Sequence, residues 1–316
     1  MPSLTIEPAG YALGARLTGV DLSQPIDDEV FAAIHRALLD HLVLVFPGQR
    51  LNAGSLLAFT ERFGELDDFS NQSVHHDPVH RKVMILTNRP QDGRQSKTYN
   101  AGQNWHTDQS YSVRPSKITS VYCVELPSVG GDTMFANMYL AYESLSPKLR
   151  EILDGLEAVH DASLIEGLDK RGPEVVAEFK RRNPPVVHPA VRVHPESGRR
   201  ALYINERVRQ FVGMTQAESQ PLIRFLCEHS VAPRKVYRHA WSVGDLVIWD
   251  NRCLVHMAVG DYDPKQFRHM LRTSGLGDHR GRLFDETAAA VPAPAAAAAP
   301  TVGAAELERQ VGALHD

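Results

Sequence analysis

Residues 235–277 read KVYRHAWSVGDLVIWDNRCLVHMAVGDYDPKQFRHMLRTSGLG. Three runs within it, KVYRHAW, GDLVIWDN and RHMLRTSGLG, are rich in β-branched and aromatic residues. Gly, Asp, Asn and Pro stand between them and punctuate the chain at turns. Each run has the length of a strand and is too short for an independent helix. The segment therefore predicts strands in close succession.

The same texture recurs upstream. LVLVFPG (42–48) reads as a buried strand stopped by Pro-Gly, and KVMILTN (82–88), KITSVYCVEL (117–126) and GGDTMFANM (130–138) as further strands. AVRVHPESGRRALYIN (190–205) predicts two strands around a Glu-Ser-Gly turn. A short strand opens the chain. Helices are fewer. PIDDEVFAAIHRALLDH (25–41) offers Asp27 or Asp28 as cap and a buried stripe of Val30, Phe31, Ile34, Ala37, Leu38 and Leu42. NAGSLLAFTERFG (52–64), Tyr139 to about Leu156, and TQAESQPLIRFLCEHS (215–230) are the other helices expected. Residues 65–105 and 157–190 read as loop-rich, suited to a lid. The fold class is mainly β with flanking helices, a β-sandwich or jelly roll.

The chain has 316 residues, 43% hydrophobic and 23% charged, with formal net charge −4. That balance gives no electrostatic footprint for nucleic acid or an anionic membrane. No secretory signal is visible, and no apolar run reaches membrane-spanning length, so a cytoplasmic protein with no membrane partner is expected. Cys123, Cys227 and Cys253 are too scattered for a disulfide framework or a paired zinc site, and Cys123 and Cys253 sit in apolar runs as small core residues. A single domain over residues 1–287 is expected. From about Ala288 the sequence AAAVPAPAAAAAPTVG is low-complexity Ala/Pro, a flexible tail over 288–316.

Chemistry concentrates in NWHTDQSY (104–111), which sets His106 and Asp108 two residues apart. In extended chain such side chains share a face and can reach one point. A metal ion is one such point; a surface His–Asp hydrogen bond is the simpler one from these residues alone. His256 lies far downstream in VIWDNRCLVHMA. Two imidazoles and one carboxylate suit iron(II) and leave three positions of an octahedron open. Arg268 and Arg272 stand four apart soon after His256, and paired guanidiniums hold carboxylates in bidentate fashion. Thr133 in GGDTMF adds a hydroxyl suited to an anion.

With these residues assembled, the chain resembles the iron(II)- and 2-oxoglutarate-dependent dioxygenases of the taurine and 2,4-dichlorophenoxyacetate type. The resemblance runs from about Leu4 to Gly277 through LGARLTGVDLSQPIDDEVFAAIHRALLDHLVLVFPGQ, WHTDQSY, ELPSVGGDTMFANMYLAYESL, HPESGRRALYIN, GDLVIWDNRCLVH and RHMLRTSG. It implies a double-stranded β-helix core. It also implies His106, Asp108 and His256 as iron ligands, Thr133 and Arg268 on the far carboxylate of 2-oxoglutarate, and Arg272 facing the acidic group of the prime substrate. Dioxygen is the remaining co-substrate. The implied reaction couples decarboxylation of 2-oxoglutarate to succinate and CO2 with hydroxylation of a small anionic organic molecule. Halogenases of this type lack the carboxylate that Asp108 provides, so its presence implies hydroxylation. Family members are commonly dimers or tetramers, which implies a homo-oligomer.

The chain departs from the taurine enzymes at the substrate. Phe69 stands where they carry a substrate-contacting histidine, Gly102 where they carry an asparagine, and Val208 where they carry a pocket phenylalanine. The spacing from His256 to the arginine pair is also one residue longer. An aryloxyalkanoate-, sulfonate- or sulfate-like anion with an apolar body is expected in preference to taurine, since a buried polar group left unpartnered costs roughly 1–3 kcal/mol. His75, His76 and His80 read as part of a polar lid, Trp105 and Tyr111 as pocket wall or core, and Trp249 and Asp250 as supports for the strand carrying His256. Two rivals share the residues. A zinc hydrolase can use the same triad, but has no use for Arg268 beside Thr133. A non-catalytic jelly-roll binding protein would be expected to have lost a ligand or that arginine, and neither is missing.

Overall fold

The computed structural model describes residues 4–68, 75–90, 102–277 and 280–285. Strands β1 (Thr5–Pro8) and β2 (Ala15–Thr18) precede helix α1 (Asp28–His41) and β3 (Val43–Phe46). Then come α2 (Ala53–Glu61), β4 (Met84–Thr87), β5 (Ser116–Glu125), β6 (Thr133–Asn137), α3 (Met138–Glu143) and α4 (Pro147–Asp154). The middle of the chain holds β7 (Glu157–His160), α5 (Pro173–Arg182), β8 (Val186–Pro189), β9 (Val191–Val193), β10 (Arg200–Leu202), β11 (Val208–Phe211) and α6 (Gln216–Ser230). Strands β12 (Val236–His239), β13 (Leu246–Asp250), β14 (Leu254–Ala258), β15 (His269–Leu276) and β16 (Arg282–Leu283) complete it.

A seven-stranded sheet runs β1-β2-β3-β13-β5-β15-β4, and a three-stranded sheet runs β12-β6-β14. Two smaller sheets, β11-β7-β8-β16 and β10-β9, belong to the middle of the chain. Strand periodicity explains the layering, because successive side chains point to opposite faces. In β3, Leu44 and Phe46 pack with Ile34, Leu38, Leu56 and Phe59 of α1 and α2. Val43 and Val45 face the other way and join Phe135, Trp249, Val255 and Met270. β13 divides likewise, Leu246 and Ile248 to the helix side, Val247 and Trp249 to the second core. Strands buried on both faces read as unbroken apolar runs, which is why LVLVF and DLVIW look as they do.

The helix of residues 28–41 is capped by Asp27, whose side chain accepts from the Val30 amide. Of its expected stripe, Ile34, Ala37, Leu38 and Leu42 are buried, while Val30 and Phe31 are half-buried against the same core. The helix expected from Tyr139 to about Leu156 is broken in two. Pro147 has no amide proton to continue the ladder, and the Ser146 side chain caps the Leu149 amide to start afresh. Residues 157–190, expected as loop, carry the paired strands β7 and β8 and the helix α5. Their short apolar runs, EAVH and VVHP, lie below the length at which alternation is legible. Cys123 and Cys253 are buried free thiols, as expected, and burial pushes Cys123 up to about 12. Among the described residues no helix is long and apolar enough to cross a membrane. Phe69 and the tail of 288–316 lie outside the described residues.

Candidate active site

β14 positions His256, and an isolated antiparallel bridge brings His106 beside it. The His106 amide donates to the His256 carbonyl at 3.0 Å and the His256 amide returns a bond to the His106 carbonyl at 2.8 Å. Residues that exchange both bonds lie directly opposite each other, and the two imidazole centroids are 4.3 Å apart. After His106 the chain turns rather than continuing extended. The Thr107 hydroxyl is drawn away to the Leu254 carbonyl, and Gln109 takes a left-handed φ of 51°. This turn, not a regular strand, delivers Asp108 to the two histidines.

His106 Nδ1 lies 2.7 Å from the Asn104 carbonyl oxygen. A carbonyl only accepts, so Nδ1 carries the proton and Nε2 presents its lone pair. His106 Nε2 is 3.6 Å and His256 Nε2 3.8 Å from the same oxygen, Asp108 Oδ1. The other oxygen, Oδ2, accepts the Thr119 hydroxyl at 2.7 Å. Thr119 in turn accepts from Asn251 Nδ2 at 2.9 Å, and Asn251 Oδ1 accepts from Trp249 Nε1 at 3.1 Å and from the Asp108 amide at 3.3 Å. The carboxylate is thus held from its far side while one oxygen faces the imidazoles, as a monodentate metal ligand requires.

All three groups are buried, with one candidate ligand atom from each within 4.8 Å of the others. Burial pushes both histidines below their usual range, His256 most strongly, with His106 adding to it. Burial acts to raise the Asp108 carboxyl, but the Arg272 charge foremost, with the two imidazoles beside it, holds it well below the usual carboxylate range. Neutral imidazoles beside an ionised carboxylate are the protonation states that bind a divalent cation.

A second group, His194, Asp250 and Cys253, is equally compact and buried. Its carboxylate is already spent. Arg252 Nε is 2.8 Å from Asp250 Oδ1, Arg252 Nη2 2.5 Å from Oδ2, and His194 Nε2 3.0 Å from Oδ2. A guanidinium there repels a metal, and burial holds the Cys253 thiol well above its usual range. This group anchors the turn between β13 and β14, the support expected of Asp250.

Arg268 and Arg272 both lie on or beside β15 and differ in their contacts. Arg272 Nη2 is 2.9 Å from Asp108 Oδ1, within the triad. Arg268 Nε donates to the Gly131 carbonyl at 3.1 Å, and burial lowers its pKa, with no carboxylate in ion-pair range among the described residues. Thr133 lies two residues beyond Gly131, buried, its hydroxyl oxygen accepting from Trp241 Nε1 at 3.0 Å. With that oxygen accepting, the Thr133 hydroxyl proton is free to donate to an anion.

Gly102 has φ 79° and a Cβ there would come within 3.0 Å of His106 Cε1, so glycine is required against that imidazole. Val208 is buried in the core, opposite His160 in the β11–β7 pair. Trp105 packs against the core, and Tyr111 stands 6.5 Å from Phe179. Thr119, Asn251 and Arg207 escaped sequence reasoning. A Thr inside the apolar run KITSVYC was the legible signal for the first; Arg207, directly after YINE, offered none.

The model of the taurine catabolism dioxygenase TauD, TfdA family matches residues 5–274. A relative is the (S)-phenoxypropionate/alpha-ketoglutarate-dioxygenase of Sphingobium herbicidovorans, 32% identical over 284 residues, 88% of this chain and 96% of that protein. Another is the alpha-ketoglutarate-dependent sulfate ester dioxygenase of Pseudomonas putida, 35% identical over 269 residues, 82% of this chain and 85% of that protein. A crystal structure of a taurine dioxygenase from Burkholderia xenovorans superposes with a TM-score of 0.74 at 32% identity, covering 90% of this chain and 95% of that one. Two buried imidazoles and a carboxylate on one point, and a family match that spans all three residues, lead to one statement: the chain belongs to the taurine catabolism dioxygenase TauD, TfdA family, and is an oxidoreductase.

Proposed function

We propose that the protein is an iron(II)- and 2-oxoglutarate-dependent dioxygenase that hydroxylates a small organic anion of the aryloxyalkanoate, sulfate-ester or sulfonate kind, releasing succinate and CO2. The observation that carries it is the convergence of His106 Nε2, His256 Nε2 and Asp108 Oδ1 on one buried point, with the buried Arg268 in no ion pair among the described residues. The donor set fits iron(II): two neutral imidazoles, and one carboxylate whose second oxygen is already bonded to Thr119. When bound there, iron(II) would supply the dioxygen-activating chemistry.

The chain's own groups do the rest. Arg268 and Thr133 bind the far carboxylate of 2-oxoglutarate and so orient its keto-acid end. Trp249 and Phe135 flank His256, centroids 4.7 and 6.1 Å away, and keep water from it. Arg272, which pairs with Asp108 Oδ1, turns to the acidic group of the substrate once that oxygen is taken by a cation. Gly102, packed against the His106 imidazole, borders the metal side of the substrate site. The substrates named for the relatives favour the aryloxy and sulfate-ester classes over taurine.

The seven-stranded sheet and β12-β6-β14 support a double-stranded β-helix, with residues 1–287 as one domain. The assembly is a cytoplasmic homodimer or homotetramer, with neither nucleic acid nor membrane as partner.

The test is succinate release in air from protein loaded anaerobically with iron(II) and 2-oxoglutarate. The panel is (S)-2-phenoxypropionate, its enantiomer, hexyl sulfate, hexanesulfonate and taurine. Stimulation by an aryloxy acid or alkyl sulfate beyond that by taurine is expected. Absence of a visible charge-transfer band with 2-oxoglutarate, together with no succinate, would overturn the reading.

A further inference from the structure

Arg207 follows the turn at Asn205 and precedes β11, and its side chain runs into the protein beneath the His106–Asp108 turn. It is 7% exposed. One nitrogen, Nη1, lies 3.4 Å from the Thr107 carbonyl, a long hydrogen bond to the residue between two triad members. Its Nε is buried without any partner, and the guanidinium carbon stands 5.7 Å from the Tyr111 ring. No carboxylate among the described residues forms an ion pair with it. Glu206, next in the chain, is solvent-exposed and engages Asn104 and the Trp105 backbone instead. Asp108, whose charge Arg207 feels along with that of Glu206, is already held by Arg272 at 2.9 Å. Burial accordingly disfavours the Arg207 charge, with Arg272 adding repulsion.

An unpaired buried charge is expensive, and chains rarely keep one without an anion to meet it. Two guanidiniums, Arg207 and Arg272, thus lie close enough across Asp108 to repel one another. Each presents planar donors suited to two oxygens of a carboxylate or sulfate. Tyr111, Tyr203 and His160, which burial keeps uncharged, surround Arg207, and the other charges there are Glu206 and Arg192, whose guanidinium carbon stands 4.4 Å from the Tyr203 ring.

We infer that Arg207 is a second substrate anchor, which with Arg272 grips the charged group of the substrate from the side opposite β15 and sets the specificity for oxyanions. The inference rests on the proposed dioxygenase reading for the site's identity. It deepens that reading, because the anionic group would be clamped by two guanidiniums rather than one. The substrate class that follows is a compact oxyanion, a carboxylate or sulfate, joined directly to an apolar body.

Equilibrium binding tests it without turnover. The probes are hexyl sulfate and phenoxyacetate, each against its neutral alcohol, hexanol and phenoxyethanol, by isothermal titration of the wild type, R207Q and R207M. Thermal melting establishes that a variant is folded, and one folded variant suffices. The expected result is at least tenfold weaker anion binding in the variant, with the alcohols within twofold of wild type and 2-oxoglutarate affinity unchanged. Anion affinity within twofold of wild type would overturn the inference, as would equal weakening of anion and alcohol. Wild-type protein that binds no anion better than its alcohol also overturns it. If binding is Arg207-dependent but no succinate ever forms, the dioxygenase reading fails and the anion anchor stands. If succinate forms with these anions at wild-type KM in R207Q, only the anchor fails.

Discussion

His106 and His256 are joined by a reciprocal pair of main-chain hydrogen bonds, 3.0 and 2.8 Å, although 149 residues separate them along the chain. The spacing of the imidazoles is therefore set by backbone geometry, and side-chain rotamers have only to aim the nitrogens.

Replacing His106 by Ala removes one of two imidazoles while leaving that backbone bridge intact. Iron(II) affinity should fall beyond the roughly 10–100-fold that loss of a supporting hydrogen bond costs, and turnover with it. Substantial activity in iron-loaded His106→Ala would sink the ligand assignment.

Thr119→Val keeps the volume and deletes the hydroxyl bonded to Asp108 Oδ2. The carboxylate then rotates more freely. Metal affinity is expected to drop about tenfold with the fold retained, measurable by competition with a chromophoric chelator. An unchanged affinity would show that the Asn251 contact to the Asp108 amide suffices.

Arg268 and Arg272 should separate kinetically. Arg268→Ala raises the KM for 2-oxoglutarate at least tenfold, a loss of about 1.4 kcal/mol or more, and leaves substrate KM comparatively unmoved. Arg272→Ala does the opposite. The reversed pattern in steady-state kinetics would exchange their assignments.

Acid should destabilise the protein through buried histidines. Burial, then Arg192, lowers His188 to about 4 from the usual 6.5, and burial holds His160 well below its range. A base with a depressed folded pKa is protonated first in the unfolded chain, so stability rises with pH across the window from about 4 to 6.5. His188 alone accounts for about 3 kcal/mol lost on acidification through it. Urea unfolding at pH 7, 5.5 and 4 measures this, and His188→Gln should flatten the slope; an unaltered slope would place the titration elsewhere.

Strands and caps were legible in sequence because each has a local cause. An unbroken apolar run closed by Asp-Asn marks β13, and Asp27 marks the start of α1. The break at Pro147 was legible too, in a Ser-Pro pair, but the apolar spacing around it mimics one continuous helix. β7 and β8 stayed hidden because four-residue apolar runs carry too little periodicity to separate strand from loop. The ligands were recognised through motif order, and spacing alone left His106 and Asp108 open to a simpler reading. Arg207 was invisible because its meaning lies in what it fails to touch, which only packing reveals.

β3 and β13 are apolar on both faces, so a slip of one residue between them would exchange Leu and Val layers at small hydrophobic cost. What forbids the slip is polar. Asp250 ends β13 in a buried cage of Arg252 and His194, with Glu196 bonding Arg252 from outside, and no neighbouring register supplies those partners. Moved by one position, Asp250 would carry Arg252 with it but lose His194, and Arg252 would lose Glu196, at about 1–3 kcal/mol for each buried group left unsatisfied. The cage thereby works as an alignment key: it counts residues for a sheet that hydrophobicity alone cannot index, and the two-strand turn behind it delivers His256 at the one height where His106 can meet it.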